Sequence, residues 1–566
     1  MALTDNRTQL NDCEDDTQTF VTSGAQIGTS TLAGQFIEGS ASIQSQHSNT
    51  YDDTYTSGDS AGNTFNLGAA GADTTIYLGV KDNLMNTIAN AGGMIVVGDG
   101  TDRIGYTVGG SDAVGLPYKN QYIFFKLDTS DAAASPGTAD TDHHVFAGTE
   151  ANLNFSAITI VGFGSLHNAK AQGNVPNVFI DNIRYIANDS YAASITGGTV
   201  GTPEGMADVV GDDETVGAGM FANPNAKQYI IFAPTEWGDD GTADSYFEGT
   251  DEQWYFVGDN SGSRAVGATH FPMRVVGNAT GTNSFELTNC VLINTGQRAE
   301  FDFSDANVDI LNLTGVTMTD FGAITFPGNS ATKDLVRMIF NNCGIVYFDD
   351  LDVDRAIFNG AFDSNGAVLW DENSDVTKQV STSFTSDGTG HGIYINLTGD
   401  GPGAGGKFTF NVDQIEVSGY QATSGGSTGN TFFLVDNNND NDVEIVITNG
   451  SGNFAYEKAA GYTGTVTITQ AVTVQLTALD ESDNTAIENC RAFLETTPGG
   501  VDIIAPGTRT NASGVVSAQY SGTTPVNVTG YLAKGSESPT YKRKPVTGTV
   551  TSTGFDQTIT LVGDGA

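Results

Sequence analysis

Residues 347–358 read YFDDLDVDRAIF and hold the densest set of groups able to do chemistry. Asp350, Asp352 and Asp354 alternate with Leu351 and Val353. In a strand the three carboxylates would share one outward face, about 7 Å apart, with Arg355 beside them. Glycosidases need two carboxylates at a set separation, and polysaccharide lyases need acidic cation ligands with a base. Asp350, Asp352, Asp354 and Arg355 are therefore the catalytic candidates. The competing reading is a solvated acidic face, and no neighbour visible in the sequence would raise one carboxyl into the general-acid range. Trp237, Trp254 and Tyr255 are the candidate sugar-binding platform, since aromatic rings stack on the apolar face of a pyranose; otherwise they are core.

Other patterns carry less. GDSAG (58–62) and GGSTG (425–429) fit a nucleophile elbow, but neither sits between a strand and a helix. GPGAGG (401–406) fits a dinucleotide fingerprint yet opens no helix, so it reads as a loop. DNNNDNDVE (436–444) lacks the glycine and the final glutamate of a calcium loop. The six histidines show no zinc spacing, and His143 and His144 are expected in a polar loop.

The elements that must position these groups follow from composition and pattern. A chain of 566 residues is long enough for about three cores. Lys+Arg number 23 against Asp+Glu 67, and a net charge of -44 excludes nucleic acid as a partner. With 38% hydrophobic residues, 31 Phe and 19 Tyr, the chain folds despite that charge. No run of about 18 apolar residues occurs, so no membrane span is expected. The opening MALTDNRTQLNDCEDD has no basic stretch followed by an apolar one, which implies synthesis without a secretory signal. Cys13, Cys290, Cys343 and Cys490 fit no paired motif and are expected as reduced, buried thiols. A Gly/Thr/Asn/Ser-rich chain of this kind suits a particle released by lysis.

Short runs of Val, Ile, Phe, Tyr and Thr between Gly/Asn/Asp turns predict an all-β protein. One helix is expected within KDNLMNTIANAGG, capped by Asp82, striped by Leu84, Met85 and Ile88, and stopped at Gly92-Gly93. In the middle of the chain, SFELTNCVLINTG (284–296) and RMIFNNCGIV (337–346) share one phrase, with weaker copies at 311–318 and 356–362. Their Asn/Gly positions are 289, 315, 342 and 360, with steps of 26, 27 and 18. Internal periods of this size predict a parallel β-helix-like solenoid, with Asn in a tight left-handed turn and Cys as a small buried residue of the stack. A sandwich with coincidental Asn-Cys turns is the alternative.

Three resemblances follow. Residues 1–190, with EGSASI and the closing FIDNIRY, resemble carbohydrate-binding-type jelly rolls. That resemblance implies a structural calcium ion at Asp181, with Glu14 and Asp15 as partners; the alternative is a strand-end Asp and a solvated acidic tail. Residues 191–460 resemble pectin-lyase-like β-helices, those of phage tailspikes among them. Residues 461–566 resemble carboxypeptidase-regulatory-like (transthyretin/Ig-type) sandwiches, through Ala492–Leu494 and the Thr510–Gly514 turn, with Phe493 where the family favours Val. Together these types resemble virion structural proteins of tailed phages. They imply a fibre, spike or surface appendage, with other virion proteins and a host surface polysaccharide as partners and a homotrimer as the assembly. A polysaccharide-cleaving tailspike and a secreted bacterial adhesin are the alternatives. Calcium is the one cofactor that the resemblances imply; the alternative is none.

Overall fold

The computed structural model describes residues 3–16, 18–21, 27–32, 35–36, 39–47, 51–58, 63–65, 67, 74–82, 88–109, 123–129, 143–167, 177–187, 193–196, 198–199, 206, 216–217, 220–231, 235–238, 245–257, 273–295, 300–326, 332–348, 352–397, 406–422, 429–437, 441–522, 524–535 and 538–564. The chain is all-β and divides into two compact units, residues 1–333 and 334–566.

The first unit opens with two antiparallel six-stranded sheets. One centres on Thr74–Asp82 paired with Asn177–Ala187, the other on Ile88–Gly98 paired with Ile160–His167. Alternation sends Ile76, Leu78, Val80, Val178 and Ile180 from one sheet, and Ile95, Val97, Val161 and Phe163 from the other, into a shared core. The helix expected at 81–93 is corrected. Asp82 ends one strand and Ile88–Gly98 forms another, while Leu84 and Met85 lie outside the described residues. The reason is cross-strand pairing: Ile95, Val96 and Val97 fit a pleated, buried surface, and pairing overrides a cap and a helical stripe. His143 and His144 also lie in a strand, His143–Ala147, rather than in a loop. Tyr51 stacks on His144 at 3.8 Å between ring centroids.

After residue 190 the chain visits three parallel sheets in rotation. In the first unit, sheet I holds Ser245–Thr250, Ser284–Thr288 and Ile310–Thr314 in register. Sheet II holds Gln228–Ile231, Gln253–Val257, Val291–Thr295 and Thr317–Thr319. Sheet III holds Ala193–Thr196, Thr235–Gly238, Met273–Val275, Phe301–Asp302 and Ile324–Thr325. The second unit repeats the rotation. There sheet I includes Asp352–Asp354, Gln379–Val380, Lys407–Asp413 and Asp442–Thr448. Sheet II includes Ile339–Asn341, Ile357–Asn359, Ser383–Thr385 and Glu416–Ser418. Sheet III runs from Val346–Tyr347 through Val368–Trp370, Ile393–Leu397 and Phe433–Asn437 to Tyr456–Lys458.

Left-handed residues make the corners. The residue directly after each sheet I strand has positive φ: Asp251, Asn289 and Gly315 in the first unit, then Arg337, Arg355, Ser381, Gln414 and Asn449 in the second. A second corner, after sheet II strands, uses Asp320, then Asn342, Gly360 and Gly419. A single left-handed residue reverses the pleat phase, so the residue after it turns inward. That residue is buried at Cys290, Val316, Met338, Ala356 and Ile415 in the first corner, and at Cys343, Ala361 and Tyr420 in the second. The repeat read from sequence is thereby refined: 289 and 315 turn from sheet I to sheet II, whereas 342 and 360 turn from sheet II to sheet III. The step of 27 compares two different corners, and the phrases agree because both corners need the same chemistry.

Inside the coils, like side chains stack. Phe340, Phe358 and Phe384 lie 4.9 and 4.6 Å apart with rings within 11° of parallel. Those separations are the spacing of adjacent strands.

Strand Val466–Asp480 leaves the rotation by serving two sheets. Its first half pairs in parallel with Asp442–Thr448; its second half pairs with Val515–Tyr520 and Phe555–Leu561. Facing it, Arg491–Thr497, Asp502–Arg509, Val526–Lys534 and Tyr541–Val550 form an antiparallel sheet, and one core joins the two layers. The turn Thr510–Gly514 is built as its residue types demand. The Thr510 hydroxyl accepts from the Cys490 N–H at 2.9 Å and donates to the Ile487 carbonyl at 2.7 Å. Asn511 Oδ1 accepts from the Ser513 and Val515 N–H groups, and Gly514 takes φ 75°.

Candidate ligand-binding cleft

The acidic strand has the expected alternation. Asp352 is exposed, Val353 is buried and Asp354 faces outward, while Asp350 and Leu351 lie outside the described residues. Asp354 is already engaged: Arg355 donates to its Oδ2 from Nη2 at 2.7 Å and from Nε at 2.9 Å. Both donors fall on one carboxylate oxygen, and the pair is exposed to solvent.

The platform expectation is corrected for both tryptophans. Trp237 and Trp254 are 1% and 0% exposed, and they pack edge to face at 4.6 Å among Phe247, Phe256, Phe285 and Phe301. Trp254 Nε1 donates to the buried Glu252 carboxylate at 2.9 Å. Each indole is on the inward phase of its strand, so neither presents a face to a sugar. Tyr255, on the outward phase, is half-buried and its hydroxyl donates to Gln253 Oε1.

The three calcium candidates do not form a ligand set. Glu14 accepts from the Ser40 N–H at 2.7 Å and the Ser40 hydroxyl at 2.6 Å, so it holds a turn. Asp181 is buried at a register shift, where its Oδ1 accepts from the Asn182 N–H at 2.7 Å. Among the described residues no three His, Cys, Asp or Glu side chains come together as a cation site.

Among the described residues, the sequence candidate Arg355 lines a cleft. Four successive left-handed corners of the second unit, Arg355, Ser381, Gln414 and Asn449, line a concavity of about 790 Å³. The outward sheet II column Ile357, Ser383 and Glu416, which are in register, belongs to the same lining. The lining also takes Thr473, Gln475, Thr553, Gly554, Phe555 and Asp556 from the C-terminal layers, with Thr473 next to Asn449. This volume is in the range of ligand clefts. Polar side chains are held rather than loose. Ser381 Oγ donates to Gln414 Oε1 at 2.8 Å, and Gln414 Nε2 donates to Asp413 Oδ2 at 3.4 Å. Asn449 Nδ2 donates to Asp413 Oδ1 and Thr473 Oγ1, both at 2.9 Å, and Asn449 Oδ1 accepts from the Thr473 N–H. Gln475 Nε2 donates to Asp556 Oδ2 at 3.4 Å.

Two apolar groups complete the lining. Ile357 is 37% exposed. Phe555 lies against Gly548, where a Cβ would come within 2.3 Å of its ring, so bare backbone lets the ring lie down on the strand. The sequence gives no sign of Gln414, Glu416, Phe555 or Asp556 as site residues. They sit in no motif and come from segments about 140 positions apart. The one legible signal is indirect: corner residues recur coil by coil, so their side chains must form a column.

No protein-family model and no curated protein matches this chain.

Proposed function

We propose that this chain is a virion structural protein of a tailed phage, a fibre, spike or surface appendage that adheres to a host surface glycan without cutting it. The observation that carries the reading is the three-sheet parallel rotation, read as a pectin-lyase-like β-helix body. Its register fixes long columns of outward side chains on a rigid support, the arrangement suited to repetitive polymer recognition. In the same reading, the two six-stranded antiparallel sheets form a carbohydrate-binding-type jelly roll. The layers after residue 466 form an Ig/transthyretin-like sandwich. The net charge of -44 keeps such a protein from nucleic acid and favours protein partners on the particle. Symmetric association into a homotrimer would protect sheet edges that a single chain leaves open.

Negative-stain imaging of intact particles with an antibody against this protein tests the assignment. Label on a tail or on the particle surface is expected. Purified particles that carry none of the protein would refute it.

A further inference from the structure

We propose that the 790 Å³ cleft of the second unit is a binding site for a neutral, hydroxyl-rich oligosaccharide segment. The proposal rests on the adhesion reading and names the place and the ligand class. Carbohydrates ask for two things at once: paired donors and acceptors for vicinal hydroxyls, and an apolar surface for the C–H face of the ring. Gln414 and Gln475 are planar amides of the lining from separate segments, each already held by neighbours, Ser381 and Asp413 for the first and Asp556 for the second, so little side-chain freedom is lost on binding. Phe555 and Ile357 supply the apolar surface. Glu416 adds a carboxylate acceptor.

Charge selects against acidic glycans. The single cation of the lining, Arg355, is paired with Asp354, whereas Glu416 and Asp556 both line the cleft. A polyuronate would meet uncompensated like charge here, within a chain of net charge -44. A neutral sugar meets none.

The full chain is titrated against neutral hexose and N-acetylhexosamine oligosaccharides, against a polyuronate oligomer, and against intact host-envelope polysaccharide. Gln414→Ala and Phe555→Ala are compared with the parent chain, and Tyr520→Ala, in a separate concavity, is the control. Each variant is first shown to melt as the parent does; if Phe555→Ala does not, Gln414→Ala and Glu416→Ala carry the comparison. Binding of at least one neutral oligosaccharide is expected, weakened about tenfold by each cleft variant and unchanged by the control. Binding of the polyuronate alone, or neutral binding untouched by the cleft variants, overturns the proposal and leaves adhesion standing. Failure to bind any probe, the envelope polysaccharide included, overturns both.

Discussion

Cys290 and Cys343 follow left-handed Asn289 and Asn342, and each is the inward residue of a corner. Burial pushes the Cys290 thiol up to about 11, so at neutral pH it is neither ionised nor reachable. A thiol reagent should leave both unlabelled in the folded protein and label both after denaturation; rapid labelling of the native chain would contradict their placement. Asp53 gives a second test. Its carboxylate is fully buried and accepts from Arg103 Nε at 2.6 Å, yet burial outweighs the guanidinium and raises its pKa to about 6. A raised carboxyl binds its proton more tightly in the folded state than in the unfolded one. This group therefore lowers stability above its folded pKa, and the loss is recovered as pH falls from about 6 to below 4. Asp53→Asn should flatten the pH dependence of the melting temperature across that window, and an unchanged slope would count against the assignment.

At the scale of elements, corners and ladders set stability. Gly360 takes φ 73°, and a Cβ there would approach Asp387 Oδ2 to 3.0 Å. Gly360→Ala should cost about 1–2 kcal/mol in denaturant unfolding, from left-handed strain with a close contact added. Asn289→Gly should be close to neutral, because its backbone conformation suits glycine and its amide hydrogen bond to Asp251, at 3.3 Å, is exposed. A similar loss in the two variants would show that the corners do not depend on the left-handed conformation. Phe358 stacks on a ring in both neighbouring coils, so Phe358→Ala should cost about 3–5 kcal/mol, measured the same way.

For the whole molecule, charge and association dominate. A chain of net charge -44 repels itself in the compact state, and added salt screens that repulsion. The melting temperature should rise between about 10 mM and 200 mM sodium chloride, where the Debye length shrinks from about 30 Å to under 8 Å. Light scattering at micromolar concentration should report a trimer; a monomer would count against the appendage reading. Incubation with envelope polysaccharide should release neither new reducing ends nor unsaturated uronate. Product that disappears on changing Asp350, Asp352 and Asp354 to Asn would replace adhesion with cleavage.

The sequence by itself determined the class of the fold, because β-branched and aromatic runs between Gly/Asn turns state a strand period locally. It also determined four of the corners, at 289, 315, 342 and 360, where Asn or Gly before a small or apolar residue specifies a left-handed turn from its own backbone; Arg337, Arg355, Ser381 and Gln414 turn the same way without that local cue. It did not determine which corner each phrase made, since both corners of the rotation ask for the same residue types. Asp82 and Ile88 misled for the converse reason, as a local helical signal yielded at both to pairing with residues about 80–100 positions away, Val178 and His167. Trp237 and Trp254 looked like a platform because an aromatic run has the same letters whether its phase points in or out, and strand register alone settles that. The cleft was the least legible feature. Arg355, Gln414 and Phe555 share no local pattern, and only the stacking of coils and the departure of strand Val466–Asp480 from the rotation bring their side chains to one concavity.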